Sequence, residues 1–129
     1  MKLIGYNKYR IYYQIMKEID LEFIEDVAYF KILIGQNVSD NDQLLKKYGH
    51  TDYIWLHLKT YPSSHVVILD NNPPEEIIEM AAKACRDSTK YRTLKNLKVS
   101  YTKYSNVKKT KVPGAVNFKS NKQVLELKL

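Results

Sequence analysis

Cysteine occurs once in the 129 residues, at Cys85, so neither an internal disulfide nor a thiolate cluster for a metal can form within this chain. No apolar run approaches the roughly 18 residues that a spanning helix needs, which excludes a helical membrane anchor and leaves no membrane among the expected partners. The first ten residues place Lys2, Lys8 and Arg10 among tyrosines instead of the unbroken apolar stretch of a secretory signal, and the expected home is the reducing cytoplasm. Four glycines, four prolines and no low-complexity segment argue against a disordered or fibrous chain. Arginine is scarce: only Arg10, Arg86 and Arg92 occur, so bidentate reading of base edges has few agents. Acid is nearly missing from the last third, where only Asp87 and Glu126 follow Ala82.

That last scarcity reveals what is present. The net charge is +7, but residues 1 to 82 hold 8 Lys/Arg against 12 Asp/Glu, a balance of −4, whereas residues 83 to 129 hold 13 against 2, a balance of +11. Such segregation points to a polyanionic partner for the C-terminal part, nucleic acid before an anionic membrane. With 44% apolar residues the chain suits a single domain with a real core.

The pattern predicts an α+β fold: a mostly antiparallel β-sheet with one long and one short helix. Residues 8 to 16 read as a strand, and 21 to 26 with 28 to 34 as a hairpin around Glu25 and Asp26. Ser39 or Asp40 is expected to cap a short helix that carries Leu44 and Leu45 and ends at a left-handed Gly49. Two strands follow, about 53 to 59 and 64 to 69. Period-two alternation puts Ile54, Leu56 and Leu58 on one face and Trp55, His57 and Lys59 on the other. His65 aligns with Val67 and Leu69. The long helix is expected from Pro73 to Tyr91, capped by Asn72, with Ile77, Ile78, Ala81, Ala82 and Cys85 as its apolar stripe. Cys85 on that stripe reads as a buried, inert thiol. A strand from Lys98 to Tyr104, a basic loop through Lys108, Lys109 and Lys111, and a closing hairpin of 115 to 118 with 123 to 128 complete the prediction.

The chemistry sits in two places. Lys103, Lys108, Lys109 and Lys111 interleave with Tyr101 and Tyr104, and Lys90, Tyr91 and Arg92 repeat the mixture near Arg86 at the helix end. Cations there can neutralise phosphates while aromatic faces stack on unpaired bases; the bland alternative is sheet-packing tyrosines and solvated lysines. His57 and His65 admit several readings: an acid and base pair of a nuclease, contact with RNA, or structural hydrogen bonding. A metal would want more donors than Asp52 and two imidazoles supply, so no metal and no cofactor is expected. His57 is the better candidate for touching a ligand, and His65 for holding the turn.

The run with Gly35, Asn37, Asn41-Asp42, Asp52, Trp55-Leu56-His57 and Ser64-His65-Val66-Val67-Ile68 resembles the NFACT-R domain, the RNA-binding module of NFACT proteins. The resemblance continues through Pro73-Pro74-Glu75-Glu76, Tyr101-Thr102 and Pro113-Gly114. The stretch from Tyr101 to Thr110 is similar to standalone eukaryotic members that carry this domain ahead of a coiled coil. Ser63 stands where the family often has glycine, and Gln36 where it often has arginine. The resemblance implies an RNA-binding domain over residues 28 to 129, preceded by an N-terminal extension over 1 to 27 packed on it. It also implies tRNA or ribosomal RNA as partner, with the ribosome or a larger translation factor nearby, in ribosome-associated quality control. Lacking the large N-terminal domain and the coiled coil, the chain is not expected to recruit tRNA for tail elongation by itself. A nuclease using His57 and His65, and an adaptor that docks on ribosome-associated factors, are the alternatives.

Overall fold

The computed structural model describes the backbone of residues 2–6, 9–13, 18–23 and 28–129, and side chains from residue 30 onward. In chain order the strands and helices are β1 (Lys2–Tyr6), β2 (Tyr9–Tyr13), β3 (Glu18–Phe23), β4 (Ala28–Ile34), α1 (Val38–Tyr48), β5 (Ile54–Leu58), β6 (Val66–Ile68), α2 (Glu75–Asp87), β7 (Lys98–Lys103), β8 (Val107–Lys109), β9 (Val116–Phe118) and β10 (Leu125–Lys128). Eight strands form one antiparallel sheet in the order β1-β2-β3-β4-β6-β5-β7-β10, and β8 pairs with β9 separately. The fold is α+β, and its two helices, of 13 and 11 residues, differ less in length than the sequence suggests.

Alternation along β5 and β6 divides the core in two, because a buried sheet must cover both faces. Ile54, Leu56, Leu58, Val66, Ile68 and Val99 meet Ile77, Ala81, Ala82 and Cys85 of α2. On the opposite face Trp55, Val67, Tyr104 and Val107 meet Leu44, Leu45 and Tyr48 of α1 together with Val116 and Phe118 of β9. Each fully buried Leu, Ile or Val is worth about 1.5–3 kcal/mol of transfer free energy. The expected faces of β5 and β6 are therefore the observed ones.

Several boundaries differ, each for a local reason. The strand expected over 8 to 16 is described over Tyr9–Tyr13, as β2 between β1 and β3; its residues 8 and 14 to 16, like the Glu25-Asp26 turn, lie outside the described residues. Asn37, and neither Ser39 nor Asp40, caps α1: its Oδ1 accepts from the Asp40 amide at 2.8 Å, while Asp40 accepts from the Gln36 amide at 3.0 Å. Gly49 is right-handed at φ −64, and crowding explains its place, since a Cβ there would lie 2.4 Å from the Leu45 carbonyl. α2 starts at Glu75 with Pro74 in the cap position and no side-chain cap; Asn72 lies in the preceding turn, where its backbone N–H donates to Asp70 Oδ1 at 2.8 Å. The helix ends at Asp87, short of Tyr91, where the hydroxyls of Ser88 and Thr89 donate to the carbonyls of Cys85 and Arg86.

The expected closing hairpin does not form. β9 pairs with β8, and β10 pairs with β7. Buried Asn106 sets this arrangement: its Nδ2 donates to Thr102 Oγ1 and to the Ser120 carbonyl, and its Oδ1 accepts from the Ser120 amide. Residues 119 and 120 are pinned there, so the chain leaves β9 before it reaches β10. Of the segment expected as a basic loop, Lys108 and Lys109 lie on the strand β8, and Lys111 stands in the turn that follows it.

Candidate functional site

His57 lies on β5 and His65 on the approach to β6, and the β5–β6 register brings them together. Their ring centroids are 5.2 Å apart, edge to face. Trp55 stacks parallel on His57 at 5.6 Å and presents an edge contact to His65 at 5.4 Å and to Phe118 at 5.5 Å. Around these rings opens a cleft of about 490 Å³, whose lining includes Pro113, Gly114 and Ala115 together with Pro62, Ser63 and Lys59. This volume falls within the roughly 300–1,000 Å³ of small-ligand sites.

The cleft is held by backbone economy. Gly35 packs so closely on Asn41 that a Cβ would stand 2.1 Å from Asn41 Oδ1, and that oxygen accepts from the His65 amide at 3.3 Å. Gly114 has φ +80, a left-handed conformation that suits glycine, and faces the Val38 side chain at the start of α1. The Ser63 hydroxyl accepts from the Leu58 amide at 3.0 Å and donates to the Ser64 carbonyl at 3.1 Å, so this turn is closed by a side chain where the family often has glycine. Asp52 sits at the far end of β5, outside the cleft, where it accepts from Ser105 Oγ at 2.8 Å.

Burial keeps both imidazoles neutral at pH 7. It lowers the His57 pKa, and lowers that of His65 to about 4 with help from the neighbouring His57. The Nδ1 proton of His57 goes to the Leu58 carbonyl at 2.6 Å, which leaves Nε2 as an acceptor. Among the described residues no group of three or more His, Cys, Asp or Glu is placed to hold a metal. The Cys85 thiol is pushed up to about 11 by burial, which disfavours the nucleophilic thiolate.

The neutral pair sets a pH dependence. Unfolded histidine binds a proton near pH 6.5 whereas folded His65 does so near 4, so the unfolded state holds more protons between those values and stability falls as pH falls through that window. The loss reaches about 3 kcal/mol once both forms are protonated, and His57 acts in the same direction. Urea midpoints between pH 7 and pH 4 should fall accordingly, and His65→Asn should flatten the slope; equal slopes in the two proteins would refute this assignment.

The basic residues divide by environment. Lys108, Lys109 and Lys111 project from the β8–β9 hairpin, exposed and with no ion pair among the described residues. Lys90 and Arg92 are exposed beyond α2; Lys90 lies over the Tyr91 ring at 5.4 Å, and Tyr91 in turn packs on Tyr61 at 4.4 Å. Arg86 is bound to Asp87 at 2.8 Å. Lys103 reaches Asp52 at 3.8 Å, and Lys59 is paired with Glu126. The lysines and tyrosines of β7 therefore do not form one stacking surface. Tyr101 packs on the α2 side, and Tyr104 is wholly buried on the other, a core residue with no face for a base.

Asn41 and Ser63, which the sequence marks only as motif and turn residues, line the cleft with Phe118, and Glu126 tempers its basic rim; Phe118 and Glu126 are the two that sequence alone did not single out. Phe118 becomes visible only once β9 is known to fold back on β8. A signal for Glu126 existed, as one of two acids among thirteen bases.

The family described as the NFACT protein RNA binding domain matches residues 21–120. Over 106 residues the chain is 37% identical to the Rqc2 homolog RqcH of Bacillus subtilis, an alignment covering 81% of this chain and 19% of that protein. Over 105 residues it is 28% identical to Protein JLP2 of Saccharomyces cerevisiae, covering 73% and 50%. The solved C-terminal part of the fibronectin/fibrinogen-binding protein of Streptococcus suis superposes with a TM-score of 0.69 at 25% identity, over all of this chain and 47% of that one. The chain thus spans half or less of each of these relatives.

Proposed function

Since the chain belongs to the NFACT RNA-binding domain family, we propose that it is a non-enzymatic module that grips tRNA or ribosomal RNA by backbone and shape in a translation or ribosome quality-control setting in the cytoplasm. Residues 28 to 129 form the binding domain in this reading, and residues 1 to 27 are an extension of it, whose described strands continue the sheet beyond β4. The observation that carries it is the β8–β9 hairpin: three exposed lysines with no acidic partner among the described residues stand beside a cleft whose wall the same hairpin builds. Exposed lysines on strands, with arginine scarce, suit phosphate contact better than base reading. Docking of the module on a ribosome or a larger translation factor belongs to the same reading, supported by its similarity to an Rqc2 homolog, and no side-chain chemistry in the cleft calls for a nuclease.

The test is the salt dependence of tRNA binding. Neutralising about four phosphates gives a slope near −3 to −4 of log affinity against log salt. An affinity indifferent to salt would retire this reading.

A further inference from the structure

The cleft is more than a flank of the basic hairpin. Trp55 and His65 are 1% and 2% exposed and make its floor, while His57 and Phe118 are half-buried and leave ring surface in contact with the opening. Two nitrogens in the floor, Trp55 Nε1 and His65 Nδ1, are buried without a hydrogen-bond partner among the described residues, an arrangement that natural cores rarely leave standing. The rim carries Lys59, and the wall at Pro113–Ala115 is continuous with the strands bearing Lys108 and Lys109. A phosphate chain lying along the hairpin would pass the mouth.

We propose that this aromatic cleft receives one unpaired, extruded nucleobase of the bound RNA, which stacks on His57 and meets Phe118 edge to face while the lysines of β8 hold the flanking phosphates. The proposal rests on the RNA-binding reading above and adds a discrimination to it, between paired and unpaired nucleotides. Flat aromatic surface suits the face of any base, so the preference is for an unpaired nucleotide and not for a sequence. Neutral imidazoles favour this role, because an uncharged ring stacks without the desolvation that an imidazolium would impose. The partnerless floor nitrogens are the groups that the base's polar edge would satisfy.

The experiment compares two RNA hairpins of one sequence, one fully paired and one with a single bulged uridine, against the whole chain and against the double variant H57A/F118A. The whole chain should bind the bulged hairpin about tenfold more tightly, and the variant should lose that preference while keeping its affinity for the paired hairpin. With 4-thiouridine at the bulge, photocrosslinks in the unaltered chain should fall on Trp55, His57 or Phe118, a readout that stands even if the variant fails to fold. Equal affinity of the whole chain for both hairpins, or crosslinks confined to residues 108 to 111, would overturn the pocket and leave RNA binding intact. Failure to bind either hairpin at low salt would overturn both.

Discussion

Replacing Lys108, Lys109 and Lys111 together by glutamate is expected to weaken tRNA binding by about a hundredfold or more near 0.1 M salt and to flatten the salt slope by about 2.7, at roughly 0.9 for each phosphate no longer neutralised. Each substitution removes a cation and installs an anion, which takes the net charge from +7 to +1. The three side chains are exposed and make no ion pair among the described residues, so the fold should tolerate the change. Lys103→Glu is the informative control. That ammonium is already shared with Asp52 at 3.8 Å, and its reversal should affect binding far less than any one of the other three. Fluorescence anisotropy across a salt series measures both quantities, and a triple variant with wild-type affinity would remove the hairpin from the interface.

Gly35→Ala should have the largest effect on stability of any single methyl group added to the described residues around the cleft. The new Cβ would sit 2.1 Å from Asn41 Oδ1 and 3.3 Å from the Asn41 amide, so the asparagine must leave. Overpacking of this kind costs about 1–3 kcal/mol. Loss of the bond from the His65 amide to Asn41 Oδ1 leaves a buried donor unsatisfied, at about 1–3 kcal/mol more. A total near 2–5 kcal/mol is expected in urea unfolding. Asn41→Ala in the same chain should restore part of that loss, because it removes the clashing oxygen, so the two substitutions should be strongly non-additive. Additive losses would mean that the clash is relieved elsewhere.

Most of the fold was legible wherever one face of an element decides its burial. Alternation in β5 and β6 assigned every residue from Ile54 to Leu58 to its observed side, and the α2 stripe assigned Ile77, Ala81, Ala82 and Cys85. What failed depended on partners distant in sequence. No local signal says that Asn106 will capture Ser120, yet that capture sends β9 to β8 and β10 to β7. The site was half legible for the same reason. The motif residues Trp55, His57 and His65 are neighbours through a short turn, whereas Phe118 arrives only by way of the Asn106 clamp. Tyr104 misled because it reads as the last residue of a strand bordering the basic run, whereas it opens the short 3-10 turn of Tyr104–Asn106 and is wholly buried.

β10 has one further consequence. It is an outer strand of the sheet, and an outer strand offers unpaired amides and carbonyls to any second strand that comes near, the ordinary start of self-association. Here that border carries Lys128, with Lys98 opposite it in register and Lys59 alongside, and Glu126 as the sole counterweight. Two copies approaching border to border meet like charge before they meet backbone. The lysines that suit the protein to a polyanion are therefore expected to oppose self-association along this border as well, and a polyanion that neutralises them should relieve that opposition.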